Sequence, residues 1–168
     1  MTSSVTDLSE LRKICVTSSY SKILEGFLKE WIVSDIWDKI DPSQFCGVKG
    51  TGTEHMLVRL VDRVKMLLDR HPNKSSVIAV AVDFVSAFDK IDGTVAISKL
   101  ISLGLRPSLV PIMIDYLSER TMTVKFNEAV SSVHHLIGGT GQGTLLAQII
   151  YTATNSDAAV SDTVREDR

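Results

Sequence analysis

The chain has 168 residues, 44% of them hydrophobic, with 18 basic residues against 20 acidic ones. This length fits one compact domain or a piece of a larger one. The near-neutral charge balance gives no whole-chain attraction to polyanions and argues against a dedicated DNA-binding module.

The first residues and the cysteines indicate the compartment. The start, MTSSVTDLSE, has no apolar core, and no apolar run approaches the roughly 20 residues that span a bilayer. Cys15 and Cys46 stand alone without C-x-x-C spacing, so we expect both thiols to be reduced and buried. These features predict a soluble intracellular protein, cytoplasmic or nuclear, that is neither secreted nor bound to a membrane.

Two amphipathic helices are predicted in the first part of the chain. Apolar residues recur every three or four positions over residues 19–40, which predicts a helix with one buried face. Residues 41–53 are rich in turn formers, and Thr53 can cap a second helix. The apolar face of this second helix consists of Met56, Leu57, Leu60, Val61, Val64, Leu67 and Leu68.

The most apolar run of the chain ends at a carboxylate. Residues 77–82 are all apolar and are followed directly by Asp83. Because a strand that is apolar on both faces must be covered on both sides, we predict that this run is the central strand of a sheet.

Shorter elements are predicted after this strand. Residues 93–105 have the pattern of a short helix, with Gly104 in the C′ position that favours glycine. A second helix is predicted over residues 107–120, where Pro107 suits the first turn.

The last third of the chain predicts a small sheet and a final helix. Alternating apolar residues predict a hairpin over residues 121–137, followed by a glycine loop over 138–143 and a helix over 144–155. The remaining polar residues, 156–168, are predicted to be a loop or a frayed end. This order of elements predicts an α+β domain whose helices pack on a small antiparallel sheet.

An acid at the end of a buried strand is suited to chemistry at the rim of a sheet. The strand fixes the backbone, while its end exposes Asp83 to a metal or a substrate. Phosphoryl transfer needs such carboxylates, because metal ions neutralise the charge on the reacting phosphate. The structural alternative is that Asp83 only ends the strand and caps the turn after it.

The residues around Asp83 read AVDFVSAFDKID. They resemble the first palm motif of reverse transcriptases, especially those of non-LTR retrotransposons and group II introns. The resemblance implies that Asp83 is catalytic and binds the metal, and that Phe84 contributes its backbone carbonyl to the nucleotide site. It also implies that Phe88 is the gate that crowds a ribose 2′-hydroxyl and so favours deoxynucleotides. Asp89 is predicted to serve a turn or a helix cap instead.

The glycine loop carries a second match to the same family. GGTGQGTLLAQIIY resembles the motif Gly-x-Pro-Gln-Gly-Ser/Thr followed by a helix. The resemblance implies that Gln142 and Gly143 contact the nucleotide, with Gly139 and Thr144 in support. Gly141 stands where the family has proline, which predicts a more flexible loop. A dinucleotide site is disfavoured, because the loop does not follow a βαβ pattern.

Two upstream segments match the family in the right order. RKICVTSSYSKILEGFL resembles the finger segment whose leading arginine contacts the triphosphate, which implies that Arg12, with Lys13 in second place, binds the nucleotide. QFCGVKGTGTEHM resembles the family's QFGFRKGRST, but Gly52 replaces an arginine there. We therefore predict a weaker grip on the template from this segment.

The resemblance covers residues 12–155. It implies a single incomplete reverse-transcriptase-like domain over 1–168, with finger-like helices over about 1–75 and a partial right-hand palm over about 76–168. In the full-length relative, this fold would bind an RNA template, a DNA primer and a dNTP. Two Mg²⁺ ions would be held by Asp83 together with a later pair of aspartates.

The sequence contains no Asp-Asp dipeptide, so that second pair of acids is absent from this chain. A single carboxylate does not hold two divalent ions about 4 Å apart. We therefore interpret the chain as a fragment of an RNA-directed DNA polymerase, truncated before its Tyr-x-Asp-Asp motif and inactive alone. The open alternative is a catalytically dead remnant that binds nucleic acid or another protein. An RNA-directed RNA polymerase is a weaker alternative, because Phe88 favours DNA synthesis. An exposed sheet edge would favour self-association.

Overall fold

The computed structural model describes residues 14–47, 50–70 and 76–157, and most of this part of the chain is helical. The helices are α1 (Ser19–Ile36), α2 (Thr53–Arg70), α3 (Gly93–Ser102), α4 (Val110–Leu117) and α5 (Leu145–Thr154), with 3₁₀ turns at Trp37–Lys39 and Pro107–Leu109. The strands are β1 (Thr121–Met122), β2 (Lys125–Phe126), β3 (Ala129–Val130) and β4 (His134–His135). The predicted polar tail lies outside the described residues beyond Asp157. Within the described ranges, no helix is both long and apolar enough to cross a bilayer.

Three of the helices begin at a side-chain cap. Ser18, Asp92 and Thr144 precede α1, α3 and α5, and each accepts hydrogen bonds from backbone N–H groups of the first turn over 2.8 to 3.3 Å. Gly104 follows α3 with a φ of +89°, which confirms it as the C′ residue. The predicted helices are confirmed, with ends that differ by a few residues.

Residues 121–137 form the predicted hairpin. β2 pairs with β3 and β1 pairs with β4, both antiparallel, with Lys125 opposite Val130 and Thr121 opposite His135. Asn127 lies in the turn between β2 and β3 with a φ of +53°, a conformation that asparagine tolerates better than most residues. The hairpin is therefore confirmed, although each of its ladders is only two residues long.

The hydrophobic core is built by helices. It joins one face each of α1, α3, α4 and α5, and its fully buried large apolar side chains are Ile32, Ile36, Leu100, Met113, Leu146 and Ile150. Each such side chain contributes about 1.5–3 kcal/mol by leaving water. Among the described residues, none from the hairpin belongs to this core. The α+β class is confirmed, but the predicted packing of helices on a sheet is wrong, because two-residue ladders offer no face to cover.

The predicted central strand over residues 77–82 is also wrong. Residues 76–84 form no strand within the described structure, and Ile78, Val80 and Val82 are 86%, 82% and 78% exposed. A strand needs a neighbour for its backbone N–H and C=O groups, and the described hairpin strands already pair with one another. An apolar sequence indicates that a segment tends to be buried, but it does not show which strand would pair with it.

α2 has the predicted amphipathic pattern, but it buries no residue completely. Leu57, Val58 and Val61 remain more than half exposed. Arg59 of this helix donates from its guanidinium to the Pro42 carbonyl and the Ser43 hydroxyl, both over 3.0 Å. Arg59 therefore ties the turn-rich segment before α2 to this helix.

The two cysteines differ in accessibility. Both are free thiols, but Cys15 is half-buried whereas Cys46 is exposed. The Cys46 backbone is held against α5, because its carbonyl accepts a hydrogen bond from the Thr152 hydroxyl over 3.3 Å. The prediction that both thiols are buried is wrong for Cys46, because this contact holds the backbone and leaves the side chain at the surface.

A bidentate ion pair joins α1 to the turn after α3. The Arg106 guanidinium donates to both carboxylate oxygens of Asp35, over 2.7 Å from Nε and 2.5 Å from Nη2, and its backbone N–H donates to the same side chain over 3.0 Å. Hydrogen bonding by Arg106 lowers the pKa of Asp35 from its ordinary value of 3.8 to about 2, against the opposing effect of burial. Fixed fork geometry makes this pair stronger than an ordinary surface ion pair.

The ion pair predicts a pH-dependent stability. Because the pKa of Asp35 is lower in the folded state than in the unfolded state, the pair stabilises the fold above about pH 4. This stabilisation is lost as the pH falls from about 4 to about 2. We expect Asp35→Asn to lower the free energy of unfolding by about 1–2 kcal/mol at pH 6, allowing for solvent screening. The difference from the unsubstituted chain should shrink below pH 4 in urea titrations.

The matched control is Asp115→Asn, at an exposed aspartate of α4. It should change the unfolding free energy by less than about 0.5 kcal/mol at every pH. A constant difference for Asp35→Asn between pH 6 and pH 2 would contradict the assignment of the ion pair.

Candidate functional site

The glycine loop (residues 138–143) is hydrogen-bonded to the turn that follows the predicted catalytic strand. The Gly139 N–H donates to the Ile91 carbonyl over 2.8 Å, and the Thr140 N–H donates to the Phe88 carbonyl over 2.9 Å. The two segments that match the family motifs are about 50 positions apart in sequence, and these hydrogen bonds place them side by side. The turn at residues 85–90 also contains Asp89, so the prediction that Asp89 serves a turn is confirmed.

Three glycines of this loop have left-handed backbone angles, and the chain itself fills the space beside them. The φ values are +86° at Gly139, +74° at Gly141 and +105° at Gly143. A β-carbon on Gly139 would lie 2.9 Å from the carbonyl oxygen of Asp89. Proline, which is fixed near −65°, cannot adopt the angle of Gly141. The glycines are therefore required by packing within the protein, whatever ligand approaches the loop.

The segment before α1 lies against the other side of the loop. The Cys15 N–H donates to the Gln142 carbonyl over 2.8 Å, and a β-carbon on Gly143 would lie 3.4 Å from the Ile14 side chain. Arg12 and Lys13, which were predicted to bind the nucleotide, directly precede this segment but lie outside the described residues.

α4 and the residues after it support the loop from behind. The guanidinium of Arg120 donates from Nη1 to the Gly139 carbonyl over 2.6 Å and lies 5.8 Å from the centre of the Tyr116 ring. The Tyr116 hydroxyl donates to the Thr144 hydroxyl over 3.0 Å. Burial raises the pKa of Tyr116, so this hydroxyl remains protonated and can donate. The predicted supporting residues Gly139 and Thr144 are thus tied to one structural unit.

A buried carboxylate fixes the helix that follows the loop. Glu25 of α1 is 4% exposed, and its Oε2 accepts hydrogen bonds from the N–H groups of Leu145 over 2.7 Å and Leu146 over 3.4 Å. These N–H groups belong to the first turn of α5, where backbone donors lack helical partners and the helix dipole favours negative charge. Glu25 therefore supplies a second cap, in addition to that of Thr144.

Phe88, the predicted ribose gate, packs on α5. Its ring is half-buried and lies 5.0 Å from that of Tyr151, centre to centre, at an interplanar angle of 39°. The backbone carbonyl of the same residue holds Thr140 of the loop. Phe88 therefore has a fixed position next to the loop, and its action on a ribose stays a prediction.

Asp83 and Phe84 lie on the exposed segment before the turn. Both side chains are exposed, and within the described residues no hydrogen bond or ion pair joins Asp83 to the loop. Mg²⁺ prefers several oxygen ligands in octahedral geometry. The described part of the chain has no group of three His, Cys, Asp or Glu residues that could hold a metal. Asp83 alone does not fit a Mg²⁺ site, and we assign no chemical step to a metal.

The residues that position the loop, Glu25, Tyr116 and Arg120, were not predicted from the sequence. The sequence separation is 120 from Glu25 to Leu145, 28 from Tyr116 to Thr144 and 19 from Arg120 to Gly139. One weak signal existed, because Glu25 is an acid among the apolar positions of the α1 pattern. The sequence offered no comparable signal for the arginine or the tyrosine.

Comparison with known proteins gives two similar sequences, both from Drosophila melanogaster. The RNA-directed DNA polymerase from mobile element jockey is 26% identical over 163 residues, which are 96% of this chain and 17% of that protein. The probable RNA-directed DNA polymerase from transposon X-element is 26% identical over 153 residues, which are 90% of this chain and 16% of that protein. This chain is similar to polymerases of mobile elements.

The similarity confirms the resemblance that the motifs predicted. It extends over nearly the whole chain, and the chain spans about a sixth of the length of these mobile-element relatives. No family model matches the chain, and no solved structure matches it. The right-hand polymerase architecture and the individual site residues therefore stay predictions.

The packing of the loop glycines yields a test with an internal control. Gly139→Ala should lower the free energy of unfolding by about 2–4 kcal/mol, because it places a side chain at a positive φ against the backbone of Asp89. Gly26→Ala in α1 meets nothing within 4 Å and should raise the free energy by about 0.5–1 kcal/mol. Urea unfolding of both variants measures the difference. Equal effects would contradict the described loop geometry.

Proposed function

We propose that this chain is the nucleotide- and template-contacting part of a retroelement RNA-directed DNA polymerase, corresponding to fingers and part of the palm. The observation that carries the proposal is the similarity to the jockey polymerase over 96% of the chain. The contacts among the motif segments support it, because residues 14–15 and the turn at 85–90 both lie against the glycine loop.

In this proposal, the glycine loop and Phe88 form one wall of a nucleotide site. Gln142, which is half-buried in the loop, contacts the new base pair, and the Phe88 ring crowds the ribose 2′ position. Arg12 and Lys13 bind the triphosphate, and the partners are an RNA template, a DNA primer and a dNTP. Asp83 contributes one ligand to a Mg²⁺ site that needs further acids. Polymerisation by the 168 residues alone is not expected, because the sequence contains no Asp-Asp pair.

Binding of primer–template tests this proposal. A fluorescent RNA–DNA primer–template should bind the chain at 50 mM salt, and the affinity should fall about tenfold at 200 mM salt if two phosphates are neutralised. Addition of the complementary dNTP should raise the affinity, and Gln142→Ala should reduce that gain by about three- to tenfold. Fluorescence anisotropy measures both effects, and a primer-extension assay should show no synthesis.

Gln148→Ala is the matched control, because it makes the same change on α5, where the side chain contacts Cys46. It should leave the dNTP effect unchanged. Absence of binding at low salt would remove the support for this function.

The second candidate function is a protein-interaction module, and the exposed apolar segment at residues 76–85 favours it. Ile78, Val80, Val82 and Phe84 are more than half exposed in a region of the structure that forms no strand. An exposed apolar segment that forms no strand among the described residues can pair with another chain. We propose that two copies of this chain associate through this segment.

Val80→Lys tests self-association. The unsubstituted chain should show a mass that increases with concentration in sedimentation velocity, and Val80→Lys should shift it toward the monomer, because like charges then face each other along the paired segments. Val130→Lys in β3 is the control, since it changes another exposed valine. A monomer at all concentrations, or an equal effect of both variants, would exclude this mode of association.

A further inference from the structure

Arg120 connects the hairpin to the glycine loop. Its carbonyl accepts a hydrogen bond from the Leu136 N–H over 2.8 Å, so its backbone belongs to the base of the hairpin. Its half-buried side chain points the other way, and Nη1 donates to the Gly139 carbonyl over 2.6 Å. A guanidinium that donates to a carbonyl forms a charge-assisted hydrogen bond, which is stronger than a neutral one.

The same guanidinium also lies beside the middle of the loop. A β-carbon on Gly141 would be 2.7 Å from Nη2 of Arg120 and 3.1 Å from the Cys15 sulfur. The missing side chain and the φ of +74° at Gly141 therefore make the room that Arg120 occupies. In this chain, glycine at a position where the resembled motif has proline allows an arginine to approach the loop closely.

Arg120 also contacts the loop indirectly, through Tyr116. The guanidinium lies 5.8 Å from the centre of the Tyr116 ring, and the hydroxyl of that tyrosine donates to Thr144 at the end of the loop. The Thr144 hydroxyl is also within 3.2 Å of the Gly141 carbonyl. The pair of Arg120 and Tyr116 thus holds the loop at Gly139 and at Thr144.

We propose that Arg120 is a positioning residue that fixes the backbone of the glycine loop for nucleotide binding. This inference rests on the proposed function, because it acts through Gln142 and Gly143. Its guanidinium contacts the Gly139 carbonyl and the Tyr116 ring, so we assign Arg120 the role of holding the loop. Lysine can supply the charge and one donor, but it lacks the planar fork that reaches Gly139 and stacks on Tyr116.

Amide hydrogen exchange tests the positioning role directly. The amides of Gly139 and Thr140 in the loop donate to the turn before it, and the amide of Cys15 donates to Gln142 in the loop. Their exchange rates therefore measure how well the loop is held in place. In Arg120→Gln, their exchange should be about tenfold faster, the effect of losing a hydrogen bond to a charged group. The amide of Leu103 at the end of α3 should be unchanged. Arg120→Lys should give an intermediate value, which is partial rescue by the conservative variant.

The control is Arg106→Gln, which removes another half-exposed guanidinium, one whose side chain bonds Asp35 and Ser34 of α1 and not the loop. Its loop amides should exchange as in the unsubstituted chain. The dNTP-dependent gain in primer–template affinity should fall about five- to tenfold in Arg120→Gln and stay unchanged in Arg106→Gln.

The outcomes separate this inference from the proposed function. Unchanged exchange of the loop amides in folded Arg120→Gln would overturn the positioning role, whatever happens to binding. Faster exchange in a chain that fails to bind primer–template would support the positioning role and overturn the proposed function. If Arg120→Gln does not fold, Arg120→Lys decides, because unchanged loop exchange in that variant would also overturn the inference.

Discussion

The carboxylate of Glu25 at the start of α5 is the interaction on which the rest of the described structure depends. α5 has the most buried residues of the described helices, six in all, and it must begin at one place for those residues to reach the core. A buried charge is costly unless it is fully hydrogen-bonded. At Glu25, Oε2 accepts hydrogen bonds from the first two N–H groups of α5, and these bonds fix where α5 begins relative to α1.

The loop geometry follows from that fixed helix start. Thr144 ends the loop next to the capped turn, while Gly139 begins it against the backbone of residues 88–89. The six residues from Gly139 to Thr144 must cover this span with both ends held, and the chain does so with left-handed angles at alternate positions. The motif that resembles a nucleotide-binding loop is thus also a structural joint among α4, α5, the hairpin and the segment before α1.

Local patterns predicted the local structure well. The helices, the helix end at Gly104 and the hairpin depend on residues that are close in sequence, so the sequence pattern alone predicts them. The apolar run at 77–82 was different, because a strand depends on a partner that periodicity does not identify. Glu25 and Arg120 were missed for a related reason, since their partners are distant in sequence and only the folded chain brings them together. The side-by-side placement of Phe88 and the loop followed from the family resemblance, whereas the contacts that produce it did not.

Because the two thiols differ in burial, their reactivity can be used to follow the opening of the region around the loop. Cys46 faces solvent on one side of α5, while Cys15 is half-covered beside Gly141. A thiol-directed reagent therefore modifies the first readily and the second more slowly, at a rate that rises when the surrounding segments separate. The ratio of the two labelling rates measures how often the region around the loop opens, without any substitution in the protein.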